Sequence, residues 1–230
     1  MRVRVDVGAE ASHVPWPEVH GAARGVMYGL LGEQDAGLAT ELHDVGWQGH
    51  TLRPLGISPP VFQVAKRPKG VYPASGTGSL WLGSPVPRIA GCLLAALAGR
   101  QVIRWGSVHL KVRGMQLEPA PDHAKGEAVF DTVSPVVVRH ESRYLLPGDA
   151  AYVERLTHNL RHKADVLGLP SAEIGVEVLG AGGRRRFEVN DAVRIGARAR
   201  LRVSADPALL DALYDWGLGL NTNQGFGWVR

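Results

Sequence analysis

Cysteine is nearly absent from this chain: Cys92 stands alone, in an apolar stretch. A single thiol closes no internal disulfide and cannot build a four-cysteine zinc site. Long hydrophobic runs are missing too. None approaches 18 residues, so no transmembrane helix is expected. The opening Met1-Arg2-Val3-Arg4-Val5-Asp6-Val7 alternates in polarity and lacks the apolar block of a signal peptide. These absences predict a soluble, intracellular, cytoplasmic protein with no membrane partner. A third absence is local. From Val45 to Leu117 there is no aspartate or glutamate, while Arg53, Lys66, Arg67, Lys69, Arg88, Arg100, Arg104, Lys111 and Arg113 all fall there. Residues 1–44 hold three arginines and seven acids, so the formal net charge of +4 is unevenly laid out. A face without carboxylates suits a polyanion, although a basic surface that merely keeps a protein in solution has the same composition. Arginine outnumbers lysine 21 to 5, which favours bidentate phosphate contacts.

What is present suffices for a packed interior. Hydrophobic residues make up 45% and charged residues 21% of the 230, which excludes wholesale disorder. The length allows one large domain or two of about 100–120 residues. Arg2 to Val7 reads as a strand. Pro17 opens a helix whose stripe is Val19, Ala22, Ala23, Val26, Met27, Leu30 and Leu31, and Leu38, Ala39 and Leu42 continue a second one. Gly46 to Pro60 is irregular to extended. Val61–Val64 and Ser79–Leu82 are short strands. Ser84-Pro85 reads as a cap and first turn for a helix over Ile89–Ala98, apolar nearly all round and therefore deeply packed. Gln101–Trp105 and Val108–Leu117 follow as strands. Glu118 to Gly126 has linker composition. After it the order repeats: a strand over Ala128–Arg139 broken at Ser134-Pro135, a helix over Asp149–Leu167, and strands over Ile174–Leu179 and Arg194–Val203. Asp206-Pro207 then caps a helix to Trp216, and Phe226–Val229 is the last strand. Each half reads β-α-β-β-α-β, the ferredoxin-like order. The expected fold is α+β, with two tandem ferredoxin-like (RRM-like) domains at residues 1–120 and 121–230, the second ending in a glycine-rich loop.

That loop, Gly217-Leu218-Gly219-Leu220-Asn221-Thr222-Asn223-Gln224-Gly225-Phe226-Gly227-Trp228, has four glycines between a helix and a strand. Glycine permits positive φ and close backbone approach, and exposed amides there can cradle phosphate. The same glycines equally serve close packing of the last helix and strand. No Gly-Lys-Ser/Thr follows, so this is not a Walker loop. The helix, glycine loop and terminal strand resemble the ending of the RAMP proteins, in particular the sixth Cas family, the CRISPR-associated endoribonucleases that cut precursor CRISPR RNA. Met27-Tyr28-Gly29-Leu30-Leu31 followed by Leu42-His43-Asp44 is similar to that family's N-terminal region. Ile57-Ser58-Pro59, Val133-Ser134-Pro135-Val136-Val137-Val138 and Asn159-Leu160-Arg161-His162-Lys163 match as well.

The resemblance implies a metal-independent endoribonuclease with no cofactor. Attack of a ribose 2′-OH on the adjacent phosphate gives a 2′,3′-cyclic phosphate and a 5′-OH. It names the CRISPR repeat RNA as partner, with other CRISPR-associated proteins alongside, for a monomer or homodimer. Such a reaction takes a base, an acid and a cation, and histidine, with a pKa near 6.5, serves in either proton role. His43 and Tyr28 lie at the edges of two consecutive helical stripes and are the expected catalytic pair, which is acid and which base being open. As bare residue types, Tyr28 also suits packing and His43 a helix C-terminus. Some family members place a lysine soon after the histidine. Val45–Leu52 has none, and His50, Arg53, Lys66 or Lys69 remain as sources of that charge.

The expected RNA contacts are Lys66, Arg67 and Lys69, the guanidinium groups of Arg184, Arg185 and Arg186 on a flexible Gly180–Phe187 turn, and Gly217, Gly219, Gly225 and Gly227. Trp47, Trp81, Trp105 and Trp228 suit base stacking or the core. His158 and His162, at i, i+4, are crowded by Arg161 and Lys163 and lack the metalloprotease pattern, so no metal is assigned. Two other readings share these features: an inactive RAMP-type RNA-binding subunit of a CRISPR surveillance complex, and an unrelated enzyme on the same fold.

Overall fold

A computed structural model of the chain describes residues 1–65 and 69–230. The first half runs β1 (Arg2–Ala9), β2 (His13–Val14), α1 (Trp16–Gln34), α2 (Ala36–Asp44), the two-residue strands β3 (Gly56–Ile57), β4 (Val61–Phe62) and β5 (Tyr72–Pro73), then β6 (Gly78–Gly83), α3 (Pro87–Leu97), β7 (Val102–Trp105) and β8 (Val108–Glu118). The strands pair antiparallel in the order β3-β6-β1-β8-β7, with β4 also on β6. Alternation decides which way each strand faces. Val3, Val5 and Val7 of β1, Leu80 and Leu82 of β6, and Leu110 of β8 are buried. They share one core with Ala23, Met27 and Leu31 of α1 and Ile89 and Leu93 of α3.

The second half runs β9 (Glu127–Asp131), β10 (Val138–His140), β11 (Arg143–Leu145), α4 (Tyr152–Leu167), β12 (Gly175–Ala181), β13 (Arg185–Val189), β14 (Ala192–Gly196), β15 (Ala199–Ser204), α5 (Pro207–Trp216) and a 3-10 turn at Thr222–Gln224. Its sheet order is β12-β15-β9, extended past β9 by a bridge between Thr132 and Val229. In both halves the third sheet element lies beside the first with the second outside it, and the last closes the other side of the first. That is the ferredoxin-like arrangement read from the sequence. A second core gathers Phe130, Leu156, Leu160, Leu201, Leu209 and Leu213.

Four local expectations change. Ser84 does not cap α3. The helix starts at Pro87 after Val86, while the Ser84 hydroxyl donates to the Pro54 carbonyl and accepts from the Val86 amide. Nor is α3 buried all round: Gly91, Ala95 and Ala98 face solvent, residues too small to make that exposure costly. The Gly180–Phe187 turn is in part a strand, because β13 pairs residue for residue with β14 and the chain reverses at Asn190-Asp191 instead. The stretch Arg194–Val203 therefore divides between that ribbon and the main sheet. Phe226–Val229 is not a regular strand either. Gly225 and Gly227 adopt φ of +85° and +63°, and only Val229 bridges.

The halves meet over the end of α5. A Cβ at Gly83 would lie 2.3 Å from the Asp215 carbonyl oxygen, so only glycine admits that approach. The Arg2 guanidinium sits 4.2 Å from the Tyr214 ring and 4.4 Å from that of Trp228, paired with Glu118 at 2.8 Å. The N-terminal ammonium pairs with the Asp215 carboxylate. This junction carries the glycine-rich loop from α5 onto α1. Among the described residues no helix is long and apolar enough to cross a membrane.

Candidate active site

Asp35 ends α1 and caps α2, its carboxylate accepting from the Leu38 amide at 2.9 Å and pairing with Arg88. This one-residue joint fixes α2 against α1. It brings Tyr28 and His43 together, with ring centroids 5.3 Å apart and planes 78° apart. The Tyr28 hydroxyl donates to the Leu42 carbonyl at 3.2 Å. His43 is half exposed (52%), and its Nδ1 lies 2.6 Å from the Asp44 carboxylate. A carboxylate only accepts, so Nδ1 carries the proton and Nε2 is left to take or give one.

Arg53 closes the site. It donates through Nε to the Leu42 carbonyl at 2.6 Å, through Nη2 to the His43 carbonyl at 2.7 Å and through Nη1 to the Thr51 carbonyl at 3.0 Å. It thus satisfies the last carbonyls of α2 and places a cation at the helix C-terminus. Arg24, one turn before Tyr28, stands 5.7 Å from its ring. Burial pushes the Tyr28 phenol above its usual pKa; Arg53, a side-chain hydrogen bond from Asn223, and Arg24 pull it back. Among the described cations left open by the sequence, Arg53 is the one that bonds to the His43 carbonyl and shares the Leu42 carbonyl with the Tyr28 hydroxyl. His50 instead faces His162 of α4, ring centroids 6.1 Å apart. Lys69 is exposed, and Lys66 and Arg67 lie outside the described residues.

The glycine loop packs against α1. Gly217, Gly219, Gly225 and Gly227 are all buried. The amides of Gly217, Gly225 and Gly227 bond to Leu213, Thr222 and Pro135 carbonyls. A Cβ at Gly227 would lie 1.8 Å from the Leu218 oxygen and one at Gly219 2.6 Å from that of Val137. The four glycines expected to contact RNA therefore sit in close backbone packing. Two buried ionisable groups hold the loop. His20 Nδ1 donates to the Gln224 carbonyl at 3.0 Å, its ring stacked 4.0 Å from that of Phe226, and burial pulls its pKa down to about 4. Lys163 donates to the Gly217 carbonyl at 2.6 Å and lies 4.4 Å from the Trp216 ring; complete burial pulls it to about 7.

Arg184, Arg185 and Arg186 are exposed, Arg186 pairing with Glu188 at 2.8 Å. Their ribbon is pinned by Phe187, whose ring lies 4.5 Å from His20 and 6.5 Å from Trp16. It therefore stands on the first turns of α1, about 12 Å along the helix axis from Tyr28. Trp105 and Trp228 are fully buried, while Trp47 and Trp81 are partly exposed. Sequence reasoning missed Arg24, His20, Lys163 and Asn223. Arg24 alone left a signal, its i, i+4 spacing to Tyr28.

Residues 118–230 match the family described as CRISPR associated protein Cas6, C-terminal. The CRISPR-associated endoribonuclease Cas6 1 of Methanocaldococcus jannaschii is 25% identical over 173 residues, covering 71% of this chain and 67% of that protein. Residues 118–230 thus belong to the Cas6 family's C-terminal domain. Among solved structures, the product of a Cas6-related gene from Pyrococcus furiosus superposes with a TM-score of 0.81 at 18% identity. It covers 100% of this chain and 97% of the other. A RAMP protein described as binding different RNA substrates gives 0.83 at 19%, covering 100% and 98%. These likenesses establish the Cas6 and RAMP fold over the whole chain.

Proposed function

We propose that this chain is a Cas6-family, metal-independent endoribonuclease that cuts precursor CRISPR RNA within its repeat. The half-exposed imidazole of His43, its Nδ1 committed to Asp44 and its Nε2 free, beside Tyr28 and Arg53, carries the reading. Nε2 is the site of proton transfer. It takes the proton of the ribose 2′-OH, or gives one to the departing 5′-oxygen. The 2′-oxygen forms its bond to phosphorus as the bond to the 5′-oxygen breaks, leaving a 2′,3′-cyclic phosphate and a 5′-OH. The Tyr28 proton is engaged by the Leu42 carbonyl, which suits the phenol to orienting the strand. Arg53 has two N–H groups beyond its three backbone bonds. It stands where the family's lysine is missing, and its charge meets that developing on the phosphorane.

In this division of labour residues 1–120 supply the acid–base groups. Residues 121–230 supply the loop behind Tyr28 and the Arg184–Arg186 ribbon that grips phosphates of the repeat. The test is cleavage of the cognate repeat RNA in EDTA by purified protein. His43→Ala is expected to slow single-turnover cleavage at least about a hundredfold with RNA affinity retained, and a deoxy substitution at the scissile 2′-position abolishes it. Undiminished cleavage by His43→Ala overturns the assignment. Tight, salt-dependent binding of RNA that stays uncut favours an RNA-binding subunit instead.

A further inference from the structure

Trp16 opens α1 and is 43% exposed, the most exposed of the six tryptophans. Its ring is nevertheless fixed. Nε1 donates to the Gly70 carbonyl at 2.6 Å, Tyr72 meets it edge-on with centroids 5.6 Å and planes 80° apart, and Phe187 lies 6.5 Å away, tilted by 49°. Tyr72 is held in turn, its hydroxyl donating to the Pro60 carbonyl at 2.7 Å. Neither ring lies parallel to the indole, so among the described residues no ring of this chain takes the stacked position. Cations stand around it. Lys69, next to Gly70, is exposed. Side chains alternate along β13, so Arg185 shares the face of Phe187, turned toward α1, while Arg186 and its partner Glu188 take the other. Arg194 is directly opposite Phe187 in β14, on that same face, and its buried Nε has no hydrogen-bond partner. Such an orphaned donor calls for an acceptor from outside the chain. The acid in the first turn of α1, Glu18, is already engaged by the Ser107 amide and hydroxyl at 2.8 and 2.7 Å.

We infer that the Trp16 indole is a stacking platform for one unpaired base of the bound RNA, with Arg185, Arg194 and Lys69 taking the phosphates beside it. The inference rests on the proposed function for its ligand and on the placement of these side chains for its site. A nucleotide in a single strand offers a flat π-face flanked by phosphates, and an exposed indole between cations complements both. The ring, already held by Gly70 and Tyr72, has little freedom left to lose on binding, which favours affinity. Helix α1 ties the platform to the reacting centre. Trp16 and Tyr28 lie on the same helix, about 18 Å apart along its axis. That distance spans about five nucleotides at a stacked spacing of about 3.4 Å, and fewer in an extended strand. A base held on Trp16 therefore sets which phosphate of the strand arrives at His43.

The test measures binding, so that it does not depend on cleavage. Affinity for the cognate repeat RNA, kept whole by a 2′-deoxy substitution at any cleavage site, is compared between the parent protein, Trp16→Leu and Trp16→Phe. The same proteins are then given repeat RNAs that each carry a single abasic nucleotide. Trp16→Leu keeps apolar bulk and removes the ring, and is expected to weaken binding about tenfold to a hundredfold. Trp16→Phe keeps a smaller ring and should lose less. One abasic position should cost the parent protein a similar factor and cost Trp16→Leu almost nothing further, because the stack is then already gone. The salt dependence of binding should stay unchanged in Trp16→Leu and flatten by about one contact in Arg185→Ala. Parent-like affinity in Trp16→Leu overturns the inference. So does a loss that is the same for every abasic RNA, or equal in the Leu and Phe variants, since the side chain then acts through bulk and not through a base. If the parent protein binds the repeat and leaves the unmodified RNA uncut, the endoribonuclease reading fails while the abasic series still decides whether Trp16 stacks.

Discussion

On the face of the C-terminal sheet turned away from its helices, Arg200 pairs with Asp131, and Arg202 with Glu127 and Glu177. On the matching face of the N-terminal sheet, Lys111 and Arg113 of β8 stand exposed with no ion pair among the described residues, and Arg104 of β7 lies opposite His109. Both sheets pair cations internally, the first through Arg4–Asp6 and Arg2–Glu118, but the first also presents Lys111 and Arg113. The acid-free stretch from Val45 to Leu117 contributes, because β7 and β8 carry no carboxylate of their own before Glu118, and Asp6 on neighbouring β1 is taken by Arg4. The lesson is that a repeated fold need not repeat its electrostatics. In the reading above, the first half meets the polyanion through chemistry and field together, while the second uses its ionisable groups to hold shape.

The sharpest contrast is between Lys163 and Lys111. Lys163 is completely buried and donates to the Gly217 carbonyl. Lys163→Ala is expected to lower stability by about 2–4 kcal/mol, through a cavity and an orphaned carbonyl. Lys111→Ala should change it by less than about 0.5 kcal/mol. Urea unfolding midpoints compare the two, and equal effects would erase the contrast. A smaller effect is expected in RNA binding. The double variant Lys111→Ala, Arg113→Ala should weaken repeat-RNA affinity roughly tenfold at 0.1 M salt and flatten the salt dependence by about one contact per cation. Arg200→Ala with Arg202→Ala, which removes cations already neutralised, should leave affinity within about twofold. The reverse ranking would place the RNA on the other sheet.

Much of the architecture was legible because it depends on short-range pattern. The α1 and α2 stripes, the Asp206-Pro207 cap and the alternation of β1 each carry their own signal. The helical placement of Tyr28 and His43 was legible for the same reason, whereas their catalytic role was implied only by the resemblance to the sixth Cas family. The placement of the glycine loop against α1 was not legible, since it arises only when α5 docks on Gly83. The arginine ribbon was misread as a turn because Gly182 and Gly183 signal flexibility. What makes it a strand is Phe187, anchored against Trp16 and His20 of the other half. For the four glycines, sequence reports conformational freedom and not burial.

A last comparison separates the loop's two anchors by pH. His20 of the first half and Lys163 of the second are both buried, with pKa values pulled down to about 4 and about 7. An unfolded histidine titrates near 6.5 and an unfolded lysine near 10.4. Between about pH 4 and 6.5 the unfolded chain therefore holds a proton that folded His20 has released. Between about 7 and 10.4 the same holds for Lys163. Where the unfolded state binds more protons, stability rises with pH. Both anchors thus weaken the fold as pH falls, but in windows that barely overlap. Each contributes a slope on the order of 1 kcal/mol per pH unit at most. Lys163→Met keeps the volume and removes the titration, so it should flatten the dependence between pH 7 and 9 and leave the acid limb intact. His20→Gln should do the converse between pH 4.5 and 6.5. Urea midpoints across this range read both limbs, and an alkaline slope unchanged in Lys163→Met would show that the lysine stays protonated in the folded protein.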